Sequence, residues 1–92
     1  MVTIGTILKL QTKDTGTIFY RINEANESSF TIIPLCRVRK GYLTIKYQSG
    51  VGTHIYKSQV GVHYLETTKK ELSKIRDILQ DSVNNIDQAN TG

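Results

Sequence analysis

Apolar and polar residues alternate with a period of two over the first two thirds of the chain, and apolar residues recur every three or four positions towards its end. The first spacing is that of strands with one buried face, the second that of an amphipathic helix. In Val2 to Leu10, Val2, Ile4, Thr6, Leu8 and Leu10 fall on one side and Thr3, Gly5, Ile7 and Lys9 on the other. Thr12-Lys13-Asp14-Thr15-Gly16 supplies turn chemistry, so the first strand is predicted to form a hairpin with Thr17 to Asn23. Residues 24–28 are a second polar break. The run Phe30 to Val38 contains Pro34, which cannot donate to a ladder and therefore predicts an edge strand or a bend.

Tyr42 to Gln48, Thr53 to Lys57 and Val60 to Leu65 complete the predicted strands. Between the first two of these, Ser49-Gly50-Val51-Gly52 favours a hairpin loop or bulge, with backbone N–H groups that a phosphate could approach. Thr68-x-x-Glu71 is a capping box, followed by Leu72, Ile75, Ile78, Leu79, Val83 and Ile86 at helical spacing. The pattern thus predicts a mainly β, α+β domain over 1–86. Five or six short strands form a small barrel or sandwich, and one amphipathic helix over about 68–86 packs across it. The polar residues 87–92 are expected to fray as a flexible tail.

Ninety-two residues allow one domain with one modest core. A single cysteine, Cys36, excludes an internal disulfide and fits a reducing compartment. The N-terminal residues lack the basic head and apolar run of a signal peptide, and no apolar stretch has the length of a membrane span. The expectation is a cytoplasmic protein with no membrane association.

Charge adds the one pointer towards a partner. The chain carries twelve Lys and Arg against eight Asp and Glu, a net +4, but the excess is confined to its middle. Before Ser28 three cations meet three acids; from Glu66 onward acids exceed cations by one. Between Glu27 and Glu66 there is no carboxylate side chain, while Arg37, Arg39, Lys40, Lys46 and Lys57 are all present. Such a stretch sets up a positive potential that attracts polyanions.

Arg37 and Arg39 alternate on one strand, so they share a face about 7 Å apart, a spacing suited to neighbouring phosphates. Tyr42, Tyr47 and Tyr56 supply rings on which unpaired bases can stack. The competing reading is an ordinary solvated strand face, since Tyr favours strands. Neither zinc nor cysteine catalysis has its usual signature: His54, His63 and Cys36 are too few and too scattered, and Cys36 stands in an apolar strand. No cofactor motif is present either.

Three segments resemble the MazF/PemK family of ribonuclease toxins. Phe30-Thr31-Ile32-Ile33-Pro34-Leu35-Cys36-Arg37 resembles the family's central strand, Gly52-Thr53-His54-Ile55 the segment after it, and Val62-His63-Tyr64-Leu65-Glu66 a later strand leading to a helix. The resemblance covers about half the chain and implies an SH3-like barrel. It does not extend to catalysis. The family's Gly-rich loop ending in Arg-Pro has no counterpart after strand one, and Cys36 stands near the place of a catalytic threonine.

The leading expectation is a non-enzymatic barrel that binds single-stranded DNA or RNA through Arg37, Arg39, Lys40, Tyr42, Lys46, Tyr47, Tyr56 and Lys57. Two alternatives stay open. One is a protein-interaction module, an assembly subunit or an inhibitor from a mobile element such as a phage or plasmid, acting through a sheet edge or through a helix face of Leu72, Ile75, Ile78 and Leu79 that also suits a homo-oligomer. The other is a divergent ribonuclease.

Overall fold

The computed structural model describes residues 2–47 and 51–78. Six antiparallel strands form one sheet: β1 (Ile7–Gln11), β2 (Thr17–Ala25), β3 (Ser29–Arg39), β4 (Tyr42–Lys46), β5 (Thr53–Tyr56) and β6 (Leu65–Glu66). A short 3-10 turn, Lys57–Gln59, follows β5, and a helix, α1, spans 69–78. The mainly β sheet followed by one helix is the architecture that the hydrophobic pattern predicts. The expected helix beyond 78, including Leu79, the predicted strand end at Gln48, the Ser49-Gly50 part of the loop and the tail over 87–92 lie outside the described residues.

The ladders run β4-β3-β2-β1-β6, with β5 also on β3. β3 is the longest strand and has β2 along one edge. Its other edge is shared: β5 pairs with Ser29 to Ile32 and β4 with Cys36 to Arg39. Pro34 lies in the interval between these two partners, where a missing N–H is tolerated. It is therefore accommodated in an interior strand at a change of partner. Next to it, Tyr20 pairs with Pro34 and Phe19 with Cys36, so Leu35 is an extra residue on β3. Such a bulge bends the strand and reverses which residues face which side.

Two clusters, one on each face of this sheet, make up the core. On the first face Leu8, Ile22, Phe30, Ile32 and Ile55 are buried, with Val2, Tyr20, Val60 and Tyr64 packed against them. The connection from β5 to β6 covers this cluster, and the Tyr64 ring meets Tyr20 edge-on at 5.7 Å. On the second face Phe19 and Cys36 are buried beneath Ile75 of α1, flanked by Ile7, Val38 and Leu43. Ile18 and Phe19 are buried in succession because both sides of β2 are covered. Each fully buried aliphatic side chain contributes roughly 1.5–3 kcal/mol.

Two predicted strands are shorter than the alternation suggests. Residues before Ile7 form a turn in which the Thr6 N–H donates to the Thr3 carbonyl at 3.1 Å, so β1 starts five residues after Val2. The Val60 to Leu65 segment is mostly turn. The Val62, His63 and Tyr64 N–H groups all converge on the Gln59 carbonyl, leaving only Leu65–Glu66 to pair with β1.

Helix α1 starts where its capping box predicts. The Glu71 N–H donates to Thr68 Oγ1 at 3.2 Å, and the Thr68 N–H donates to the Glu71 carboxylate at 3.3 Å. Glu71 also accepts from Lys9 Nζ of β1 at 2.6 Å, tying the first turn of the helix to the sheet. This Lys9 hydrogen bond is the main reason that the Glu71 carboxyl titrates below its ordinary value; burial opposes it and bonds from Thr68 assist. A lowered carboxyl stabilises the fold above the unfolded value of about 4.3, and that contribution is lost as pH falls through the lower folded value. Lys9→Met should therefore make the decline in urea stability between pH 7 and pH 3 shallower, with a cost at pH 7 of about 1 kcal/mol or less.

A backbone test concerns Gly16, in the β1–β2 turn at φ +92°. A Cβ there would come within 2.4 Å of the Val38 carbonyl oxygen, whereas a Cβ on Gly41, at φ +80°, would meet nothing. Gly16→Ala should cost roughly 2–3 kcal/mol and Gly41→Ala about 1 kcal/mol, both by urea denaturation.

Candidate nucleic-acid interface

The β3–β4 hairpin gathers part of the basic segment. Its loop is Lys40–Gly41, with φ angles of 53° and 80°, the two positive values of a type I′ turn. Register then pairs Arg39 with Tyr42 and Arg37 with Ile45. Thr44 is an extra residue in β4, and its hydroxyl donates to the Arg37 carbonyl at 3.1 Å. Arg37, Arg39, Tyr42 and Ile45 consequently share the face opposite α1. Tyr42 is 76% exposed, so most of its side chain is open to solvent.

Arg37 is more enclosed than Arg39. Its Nε is buried without a hydrogen-bond partner among the described residues. The side chain lies near Tyr20, whose hydroxyl titrates above its ordinary value. Burial is the largest cause there; Tyr64 and then Tyr47 add to it, and the positive charge of Arg37 opposes it. Arg37 and Tyr47 are thus neighbours of one partly buried ring, while Arg39, Lys40 and Tyr42 form the exposed tip.

The other candidate residues lie elsewhere. Lys46 pairs with Cys36 and so belongs to the opposite, helix-bearing face. Tyr56 pairs with Ser29, at the far end of β3, and Lys57 Nζ stands 5.1 Å from the centroid of the Phe30 ring. Phe30 and Arg39 are nine positions apart on β3, which places Lys57 up to about 30 Å from the hairpin tip. The five cations are therefore divided among a hairpin group of three and two separate positions. Sequence order also concealed a neighbour: Gly16 abuts Val38 and Arg39, so the turn carrying Lys13 and Asp14 stands beside the tip.

The histidines and the cysteine stay apart. Cys36 is fully buried and its thiol is pushed up by that burial. His54 Nδ1 is 3.1 Å from Thr31 Oγ1, five positions along β3 from Cys36. Among the described residues no three His, Cys, Asp or Glu side chains cluster as metal ligands would, and no helix is long and apolar enough to cross a membrane. On α1, Ile75 is buried against the chain's own sheet, with Leu72 and Ile78 partly buried on either flank.

Lys40 holds a left-handed conformation that is costly for a lysine and tolerated by asparagine. Lys40→Asn should raise the urea midpoint, by about 0.5 kcal/mol or more in stability, while removing one charge from the tip. No protein-family model, no curated protein and no solved structure matches the chain.

Proposed function

We propose that the chain binds single-stranded nucleic acid through the β3–β4 hairpin, without cleaving it. The observation that carries this reading is the register that sets Arg37, Arg39 and Tyr42 on one face, with Lys40 at the turn beside them. Two arginines whose Cα atoms are about 7 Å apart suit neighbouring phosphates, and the exposed Tyr42 ring offers a base a stacking surface. A single strand is favoured over a duplex because stacking on a side chain needs an unpaired base. The type I′ turn holds these groups on a rigid pair of strands, which lowers the ordering cost of binding.

The hairpin is a smaller site than the whole anion-free segment implies. Three cations rather than five then set the electrostatics, and the salt dependence reports their number. For a single strand the slope of log K against log salt is about −0.7 per neutralised phosphate, so three contacts give a slope near −2. Affinity should fall about 20-fold between 50 and 200 mM salt.

Fluorescence titration of a labelled mixed-sequence oligonucleotide tests this. Arg39→Ala should reduce the slope by about 0.7, and Tyr42→Ala should weaken binding by about 1–3 kcal/mol with the slope unchanged. Lys57→Ala, distant from the hairpin, should leave both unaltered. Binding that is absent at low salt, or equally sensitive to Lys57→Ala and Arg39→Ala, overturns the assignment. Shortening of the oligonucleotide during the titration would point instead to a nuclease.

A further inference from the structure

Over its described residues, α1 covers only part of its face of the sheet. It crosses from β1, where Glu71 meets Lys9, over Phe19 and Cys36, and reaches the neighbourhood of Val38 and Gly41 with Ile78. The rest of that face lies to one side. There the register row Ile7, Arg21, Ile33 runs across β1, β2 and β3, with the bulged Leu35 beside it. Ile7, Ile33 and Leu35 are all only partly buried.

Two adjoining concavities occupy this area. One, of about 350 Å³, is lined by Ile7, Leu35, Leu72, Ile75 and Arg76. The other, of about 180 Å³, is lined by Arg21, Asn23, Ile33 and Leu35. Leu35 belongs to both, so they form one trough. Among the described residues its floor is aliphatic, its two charged lining groups are both arginines, and no carboxylate lines it. The only ion pair among the described residues, Lys9 with Glu71, involves neither arginine.

We infer that this trough docks a segment of a partner protein that carries apolar side chains together with acidic ones. An aliphatic floor of three side chains on two strands and the bulge gains affinity by removing apolar surface from water, which a phosphate backbone cannot supply. Among the described residues it contains no aromatic ring on which a base could stack, so nucleic acid fits it poorly. The two arginines then select acidic residues and disfavour basic ones, because their planar forks match carboxylates in pairs of hydrogen bonds. Glu24 pairs with Thr31, beyond the Arg21 row on the same face, and ends the cationic stretch. The partner's acids therefore belong at the helix end, between Arg21 and Arg76.

The surface is independent of the nucleic-acid reading, since the hairpin group projects from the other face. The test is fluorescence anisotropy of a labelled hexapeptide alternating Leu and Asp, titrated with the full chain, beside a control alternating Leu and Lys. The acidic peptide should bind and the basic one should not. Arg21→Glu and Leu35→Asp should each weaken binding at least tenfold, with Arg21→Gln intermediate, and Arg39→Ala should have no effect. An oligonucleotide should not displace the peptide. Because Leu35→Asp could unfold the chain, Arg21→Glu, at an exposed position, is the deciding variant. Equal binding of the two peptides, or unchanged binding by Arg21→Glu, overturns the inference. Light scattering that finds a stable dimer dispersed by Arg21→Glu overturns it too, because the face would then be covered by a second copy.

Discussion

Most of the molecule depends on how β3 is bent. Eleven residues long, it serves β2 on one edge and two different strands on the other, and the change of partner falls at Pro34. The extra residue Leu35 reverses the alternation at that point. Before it, Ile32 faces the Leu8 and Ile22 cluster; after it, Cys36 joins Phe19 and Ile75 on the other side. Without the bulge, Cys36 and Val38 would point into the first face and Arg37 and Arg39 would lie beneath the helix. The arginines owe their place opposite α1 to one inserted residue.

That inversion also explains why the core is divided. The bulge turns Cys36 towards one face while Ile32 keeps to the other, so each face has its own cluster and its own cover. The turn-rich connection after β5 covers one face, held by the Gln59 carbonyl and the Tyr20–Tyr64 contact. The described part of α1 covers part of the other, held at its first turn by Lys9 and further on by Ile75. Over the described residues neither cover spans its whole face: the hairpin arginines project from the first face and the aliphatic trough lies on the second.

Features set by local chemistry could be read from the sequence. Thr68-x-x-Glu71 marks the helix start, the Asp14 to Gly16 turn marks a hairpin, and alternating Arg37 and Arg39 share a face. Features set by pairing could not. Single-face alternation does not anticipate that Ile18 and Phe19 are both buried, because that requires covers on two sides. Nor does it place Lys46 across from Cys36 or Lys57 against Phe30, since those positions follow from partner choice on β3. Counting charge along the chain marked one anion-free segment, yet the strand pairings, which charge does not determine, divide it.

Leu35 connects the two surfaces in a way that neither has alone. Its side chain helps to floor the trough, its carbonyl accepts the Tyr47 N–H at 2.9 Å, and it is only two residues from Arg37. Tyr47 in turn stands near Tyr20 and Arg37 on the opposite face. A ligand that shifted the bulge from the trough side would move the end of β4 and the base of the hairpin. Coupling of that kind needs a second, distinct arrangement of the bulge, because a packed sheet held by fixed ladders passes on little. A bulge beside a proline, in the interval of β3 between its two edge partners, is the part of this strand with the fewest ladder partners, and within β3 it is where such an alternative would cost least.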